Sequence, residues 1–189
     1  MGSNPTPSAM VPSGAFPPAA LPTGLNVDEA MGLALDEAAR ALVHDDVPVG
    51  AIVVHNGIVI AARHNERELH DDPVAHAEIL ALRDAAAHLG QWRLDECAMY
   101  VTLEPCPMCA GALVNARLAH LVYGAHDPKA GAVTSQFDLV SGERLNHRVE
   151  VTSGVRSAES AELLRAFFRL RRASKTGGRA VNTDPKPAQ

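Results

Sequence analysis

His76 stands two residues before Glu78, and further along the chain Pro105 is followed by Cys106 and, three residues later, Cys109. Imidazole nitrogen and thiolate sulfur are good zinc donors. Three protein ligands leave one tetrahedral position for water, the pattern of a catalytic rather than a structural site. A carboxylate offset by two residues from the histidine is placed to move that water's protons. Taken alone, the Cys-x-x-Cys pair also fits a structural zinc module or a redox pair. A structural site would want a fourth protein ligand, and Cys97 is the only other cysteine, set apart at the beginning of an expected strand. The full set therefore favours hydrolytic chemistry at one zinc ion per subunit.

The surrounding pattern says which elements carry these groups. Apolar residues at helical spacing predict a helix over 74–89, with Asp72-Pro73 as cap and first-turn pair and Gly90 as its stop. His76, Ala77 and Glu78 then lie in its opening turn. A second helix is expected to open at Pro105-Cys106 and run to 114, which puts Cys106 and Cys109 on one face of its first turn. Two helix N-termini directed at one site favour thiolates. Residues 97–103 read as a strand between them. Upstream, 27–44 is an amphipathic helix, and 49–55 and 58–62 are β-branched runs joined by Asn56-Gly57, a hairpin turn. Residues 120–124 and 149–152 add two strands, and 158–172 a terminal helix. The order α-β-β-α-β-α-β-β-α implies an α/β domain of three layers, α/β/α, around a central mixed five-stranded sheet.

Composition agrees with a compact enzyme. The chain has 189 residues, 47% of them hydrophobic, enough for one substantial core. Three cysteines argue against a disulfide framework and for a reducing, cytoplasmic setting. No apolar run reaches membrane-spanning length, so no membrane partner is expected. Residues 1–24 hold six prolines and no charged side chain, which reads as a disordered tail. The folded, zinc-bearing domain is expected over 25–173, with a flexible basic tail over 174–189. The opening Met1-Gly2 run fits a loose myristoylation pattern with no basic patch behind it.

Charge is distributed unevenly. The whole chain is −5, yet residues 165–189 carry seven cations against Asp184, a local +6 that leaves −11 on the remainder. A basic C-terminal helix on an acidic body suggests a localised nucleic-acid contact. Arg169, Arg171 and Arg172 are the expected phosphate contacts. Phe167 and Phe168 are adjacent and so point to different helix faces, one inward and the other toward RNA, where a base can stack.

Several stretches together resemble the bacterial tRNA-specific adenosine deaminases of the cytidine-deaminase-like superfamily. His-x-Glu followed by Pro-Cys-x-x-Cys marks the zinc nucleobase deaminases. The match spans about 27–172. It includes Val47-Pro48-Val49-Gly50-Ala51, Asn65, Asp72-Pro73-Val74-Ala75-His76-Ala77-Glu78 and Thr102-Leu103-Glu104-Pro105-Cys106. It continues through Met108-Cys109-Ala110-Gly111-Ala112, the run 124–132, Asn146-His147-Arg148-Val149-Glu150-Val151 and Phe167-Phe168-Arg169-Leu170-Arg171-Arg172. The last three blocks are closer to the tRNA-acting branch than to free-base deaminases. Ser160 departs from the pattern, as does the proline-rich tail.

That resemblance implies a cytidine-deaminase-like fold and conversion of adenosine to inosine at the wobble position of a tRNA anticodon, with ammonia released. It assigns the zinc to His76, Cys106 and Cys109, and the proton transfers to Glu78. Asn65 and the backbone N–H of Ala77 would meet the purine. Asp127 would accept from a ribose 2′-OH, a group DNA lacks. It also implies a homodimer grasping the tRNA anticodon arm. Met108, Leu113 and Val114 can face a partner or a core equally well. Deamination of cytidine, guanine or a pterin-like or riboflavin precursor is the nearest rival reading. A catalytically silent RNA-binding subunit is a second, and it would have no use for Glu78.

Overall fold

A computed structural model describes residues 25–177. The expected tail over 1–24 lies outside them, as do Arg179 and Lys186. The first helix, α1 (Val27–Arg40), is started by a capping box in which Asn26 accepts from the Glu29 N–H and the Glu29 side chain accepts from the Asn26 N–H. It passes into a 3-10 turn over Ala41–His44 and ends at Asp45 in the left-handed region. The hairpin of β1 (Gly50–His55) and β2 (Ile58–His64) turns at Asn56-Gly57, both at positive φ, as a tight primed turn requires. A short helix α2 (Arg67–His70) then leads to α3 (Ala77–Leu89), β3 (Cys97–Leu103), α4 (Pro107–Asn115), β4 (His120–Ala125), β5 (Glu150–Ser153) and α5 (Ser157–Gly177).

The five strands form one sheet in the order β2-β1-β3-β4-β5. β1 pairs antiparallel with both β2 and β3, whereas β3, β4 and β5 run parallel. The expected mixed five-stranded sheet is borne out. Period-two alternation divides the strands between two apolar layers. Ala51, Val53, Met99, Val101, Leu121 and Tyr123 face α3 and α4. Ile52, Val54, Tyr100 and Val122 face the other way, against Ala30, Met31 and Ala34 of α1. α5 covers the same sheet face as α1 near β4, where Gly124 admits Ser160: a Cβ at Gly124 would overlap the Ser160 hydroxyl and the Thr102 carbonyl.

Three features depart furthest from the sequence reading. α3 begins at Ala77 rather than 74, and its N-cap is His76 rather than Asp72. Pro73 and Val74 stay exposed in a turn in which Asp72 accepts from the Val74 N–H. α2 was not anticipated, because Arg67–His70 is a single exposed turn with no apolar face. α5 continues past 173 to Gly177, so the basic segment after 173 starts as helix. Among the described residues, no helix is long and apolar enough to cross a membrane.

Candidate active site

His76 and Cys106 occupy equivalent places, each the N-cap of a helix in extended backbone conformation. An N-cap side chain ordinarily turns back to satisfy the first helical N–H groups. Neither does so here, and both turn instead toward one another across the gap between α3 and α4. His76 Nδ1 lies 3.8 Å from Cys106 Sγ and 3.6 Å from Cys109 Sγ. The three donor atoms fall within 4.8 Å of one another. Pro107 at the first turn of α4 loses no hydrogen bond, and one turn brings Cys109 beneath Cys106.

The cap that His76 withholds is supplied from elsewhere. Asn65 Oδ1 accepts from the Ala77 N–H at 3.0 Å, while its Nδ2 donates to the Val47 carbonyl at 3.1 Å. Asn65 and Ala77, both expected at the purine, are thus brought together and bonded to each other. The amide keeps a second N–H and a second lone pair for another partner.

Glu78 is 4% exposed, and its Oε2 is among the buried polar atoms without a partner. Burial pushes its pKa up from the usual carboxylate range, against the pull of His76. A raised pKa suits a group that must both take and return protons. The sulfurs share protons unequally. A hydrogen bond from Cys109, with a further contribution from His76, holds the Cys106 thiol down to about 4. Cys109 is pushed up by its bond to Cys106 and by burial. His76 is raised by its hydrogen bond to Cys106. Cys97 lies apart, buried in the core, where burial and the neighbouring Glu96 and Asp95 raise it to about 11 and keep it a thiol.

This donor set fits zinc. One imidazole and two sulfurs converge from two helix starts, and an orphaned buried carboxylate oxygen sits beside them.

A cleft of about 630 Å³ opens between the 126–129 segment and α5, and its lining includes Val47, the residue whose carbonyl holds Asn65. Asp127, Phe168 and Arg172 all line it. Phe167 is 5% exposed and Phe168 43%, so the inward and outward members of that pair are distinct. Arg169 and Arg171 do not line the cleft. Arg169 lies 3.8 Å from Glu162, and Arg171 lies 3.4 Å from Asp45 with its guanidinium over the Phe167 ring. Asp127 Oδ1 caps its own loop, accepting from the Lys129 and Ala130 N–H groups. Leu113 and Val114 are core residues, leaving Met108 exposed on α4.

One residue of the site escaped the sequence reading. Glu104, immediately before Pro105-Cys106, is 2% exposed and accepts from the backbone N–H groups of Asp127, Val133, Thr134 and Ser135. The Thr134 and Ser135 hydroxyls join them. Burial opposes the charge, but these donors outweigh it and hold the carboxyl down at about 2. The available signal was a lone acid ending an apolar strand.

The sheet, the two helix starts facing one another and the His-Cys-Cys cluster define a cytidine-deaminase-like hydrolase. Residues 25–172 match the MafB19-like deaminase family, and the chain belongs to it. Within that class it is similar to the tRNA-specific adenosine deaminase of Bacillus subtilis (strain 168), 47% identical over 146 residues that cover 77% of this chain and 91% of that one. The tRNA-specific adenosine deaminase of Agrobacterium fabrum is 49% identical over 142 residues, covering 75% and 93%. A solved structure from work on A-to-I editing by tRNA:A34 deaminases superposes with a TM-score of 0.69 at 48% identity, over 71% of this chain and 98% of that one. A guanine deaminase from Nitrosomonas europaea is more distant, at 25% identity with a TM-score of 0.64 over 84% and 98%.

Proposed function

We propose that this chain deaminates adenosine to inosine at the wobble position of a tRNA anticodon. The observation that carries the chemistry is the convergence of His76, Cys106 and Cys109 beside Glu78, whose buried Oε2 has no hydrogen-bond partner. The similarity to tRNA-specific adenosine deaminases over nearly the whole folded domain supports the substrate.

His76, Cys106 and Cys109, whose donor atoms lie within 4.8 Å of one another, would hold one zinc ion per subunit. Zinc bound there supplies Lewis acidity that makes a water nucleophilic near neutral pH. Glu78 takes a proton from the water that attacks C6 of the adenine. It passes that proton to the ring nitrogen N1, then takes the remaining proton from the new C6 hydroxyl and gives it to the departing amine, so one water is consumed, ammonia leaves and inosine remains. Asn65, fixed by Val47 and Ala77, offers its remaining N–H and lone pair to the purine, and Ala77 orients that amide. Phe168 presents a face for a flanking base, and Arg172, with Arg169 and Arg171 on the same helix, supplies positive charge to the anticodon backbone. Asp127 accepts from a ribose hydroxyl with the oxygen not used in its own turn.

The working form is a homodimer in the cytoplasm, with Met108 on the contact face. An active monomer in light scattering at assay concentration would overturn the dimer. Treating transcribed tRNA with the zinc-loaded protein and sequencing it tests the activity, because inosine reads as guanosine. The reading predicts that change at the first anticodon position. Deamination of free guanine or cytidine with tRNA left unaltered would replace it with a free-base or nucleoside activity.

A further inference from the structure

Glu104 stands apart from every other buried acid of the domain in the number of backbone donors it collects. Its carboxylate accepts from Asp127 at 3.0 Å, Val133 at 3.2 Å, Thr134 at 2.8 Å and Ser135 at 2.8 Å, all through backbone N–H groups. Two hydroxyls, those of Thr134 and Ser135, complete the cradle, and His126 Nδ1 lies 3.6 Å away. Every one of these partners belongs to the segment 126–135, which follows β4. The opposite end of the link is the cysteine turn itself. Glu104 precedes Pro105-Cys106, and the Pro105 carbonyl accepts from the Ala132 N–H at 2.8 Å. Space for the carboxylate depends on Gly131, where a Cβ would collide with the Glu104 carboxyl group.

The segment held in this way is also a wall of the substrate cleft, which His126, Asp127, Pro128 and Lys129 line opposite Leu164, Arg165, Phe168 and Arg172. A loop of this length has little apolar anchorage at its tip: residues 128–130 and 134 are exposed. Charge-assisted bonds to a buried carboxylate are stronger than neutral ones and have a fixed direction. Removing such an acceptor strands several buried N–H groups at once.

We propose that Glu104 is a positioning residue that fastens the 126–135 segment to the cysteine turn, so that the RNA-facing wall is set in register with the reacting groups. Glu104 touches neither substrate nor metal. It acts through Asp127 and its neighbours, and its effect falls on substrate capture more than on proton transfer. The assignment of the cleft to RNA rests on the proposed function, whereas the clamp is a property of the loop.

The experiment uses zinc-loaded full-length protein and a tRNA anticodon stem-loop. Glu104→Gln keeps the side chain's size but removes its charge and turns an N–H toward the amides. It should raise KM about tenfold while kcat stays within about threefold and zinc content is unchanged. Hydrogen exchange of the 127 and 133–135 amides should quicken at least tenfold, with β3 and β4 amides unaffected. Should Glu104→Gln fail to fold, Ser135→Ala and Gly131→Ala disturb the same cradle from the loop side and should give the same KM shift, smaller for Ser135→Ala. Unchanged exchange at these amides, or kcat and zinc content falling together with KM unmoved, would overturn the proposal. A wild type inert toward the stem-loop would sink the tRNA reading instead, and the exchange measurement would still decide whether Glu104 holds the loop.

Discussion

At the start of α3 and α4 the groups proposed for the chemistry are enclosed and hold one another: Glu78 and Cys109 are buried, His76 and Cys106 are half-buried, and His76 contacts both sulfurs. Along α5 the groups expected to meet RNA are exposed apart from the half-buried Arg171, and Arg165, Arg169 and Arg171 already have acidic partners, Glu162 and Asp45. The first region is organised by short-range chemistry within about two helical turns, the second by long side chains in high dielectric. Exposed ion pairs of this kind contribute about 0–1 kcal/mol, so they can be exchanged for phosphate contacts at little loss. Placement therefore tolerates almost no change at the helix starts and considerable change on α5.

That contrast is sharpest in the proposed metal ligands. His76→Ala, Cys106→Ala or Cys109→Ala should each lose zinc and drop turnover by at least about a thousandfold, since nucleophile generation at neutral pH depends on the ion. Metal analysis of each purified variant checks this. A variant that keeps both zinc and activity would remove that residue from the ligand set.

On α5 the effects should be graded. Phe168→Ala loses one stacking surface, about 1–3 kcal/mol, or roughly fivefold to a hundred-and-sixtyfold in tRNA affinity. Arg172→Gln should weaken binding several-fold and flatten its salt dependence by about one unit of slope. Arg171→Gln should do less to affinity, because its guanidinium packs over Phe167 and faces Asp45 away from the cleft. Binding isotherms at three salt concentrations separate these cases. Equal losses at Arg171 and Arg172 would mean that RNA runs along the whole helix face rather than into the cleft.

The smallest effect lies away from both regions. His120 on β4 donates to or accepts from Thr152, while its Nδ1 is buried without a partner. Burial lowers its pKa, against a weaker opposing pull from Glu150. The sign follows: the folded state disfavours the imidazolium, so this contribution is complete above the ordinary histidine value near 6.5 and declines as pH falls through and below it. His120→Gln should leave stability near pH 8 about unchanged and reduce its decline as pH falls below about 6.5. An identical pH dependence of thermal unfolding in both proteins would contradict the assignment.

The same division governed what the sequence disclosed. His76, Glu78, Cys106 and Cys109 were legible because helix-start geometry turns short spacings into contacts. The strands were legible through β-branched runs and Asn56-Gly57. The N-cap of α3 was misplaced because Asp72-Pro73 has the composition of a cap, whereas the actual cap is the tertiary bond from Asn65 to Ala77. Leu113 and Val114 were ambiguous for want of knowing which layer α4 faces. Glu104 was invisible as a clamp because its donors lie 23 to 31 residues away, and no periodicity encodes that return. Asp127 was visible as an acid but not as the cap of its own turn.

The account rests on Glu78 moving protons without holding the metal. The most direct measurement compares wild type and Glu78→Gln on a tRNA anticodon stem-loop, with zinc content and RNA affinity determined on the same samples. The account predicts inosine with the wild type, and with the variant a loss of at least about a thousandfold in single-turnover rate while one zinc per chain and near-normal affinity persist. Inosine formed by Glu78→Gln at close to the wild-type rate, or zinc lost in step with activity, would contradict it.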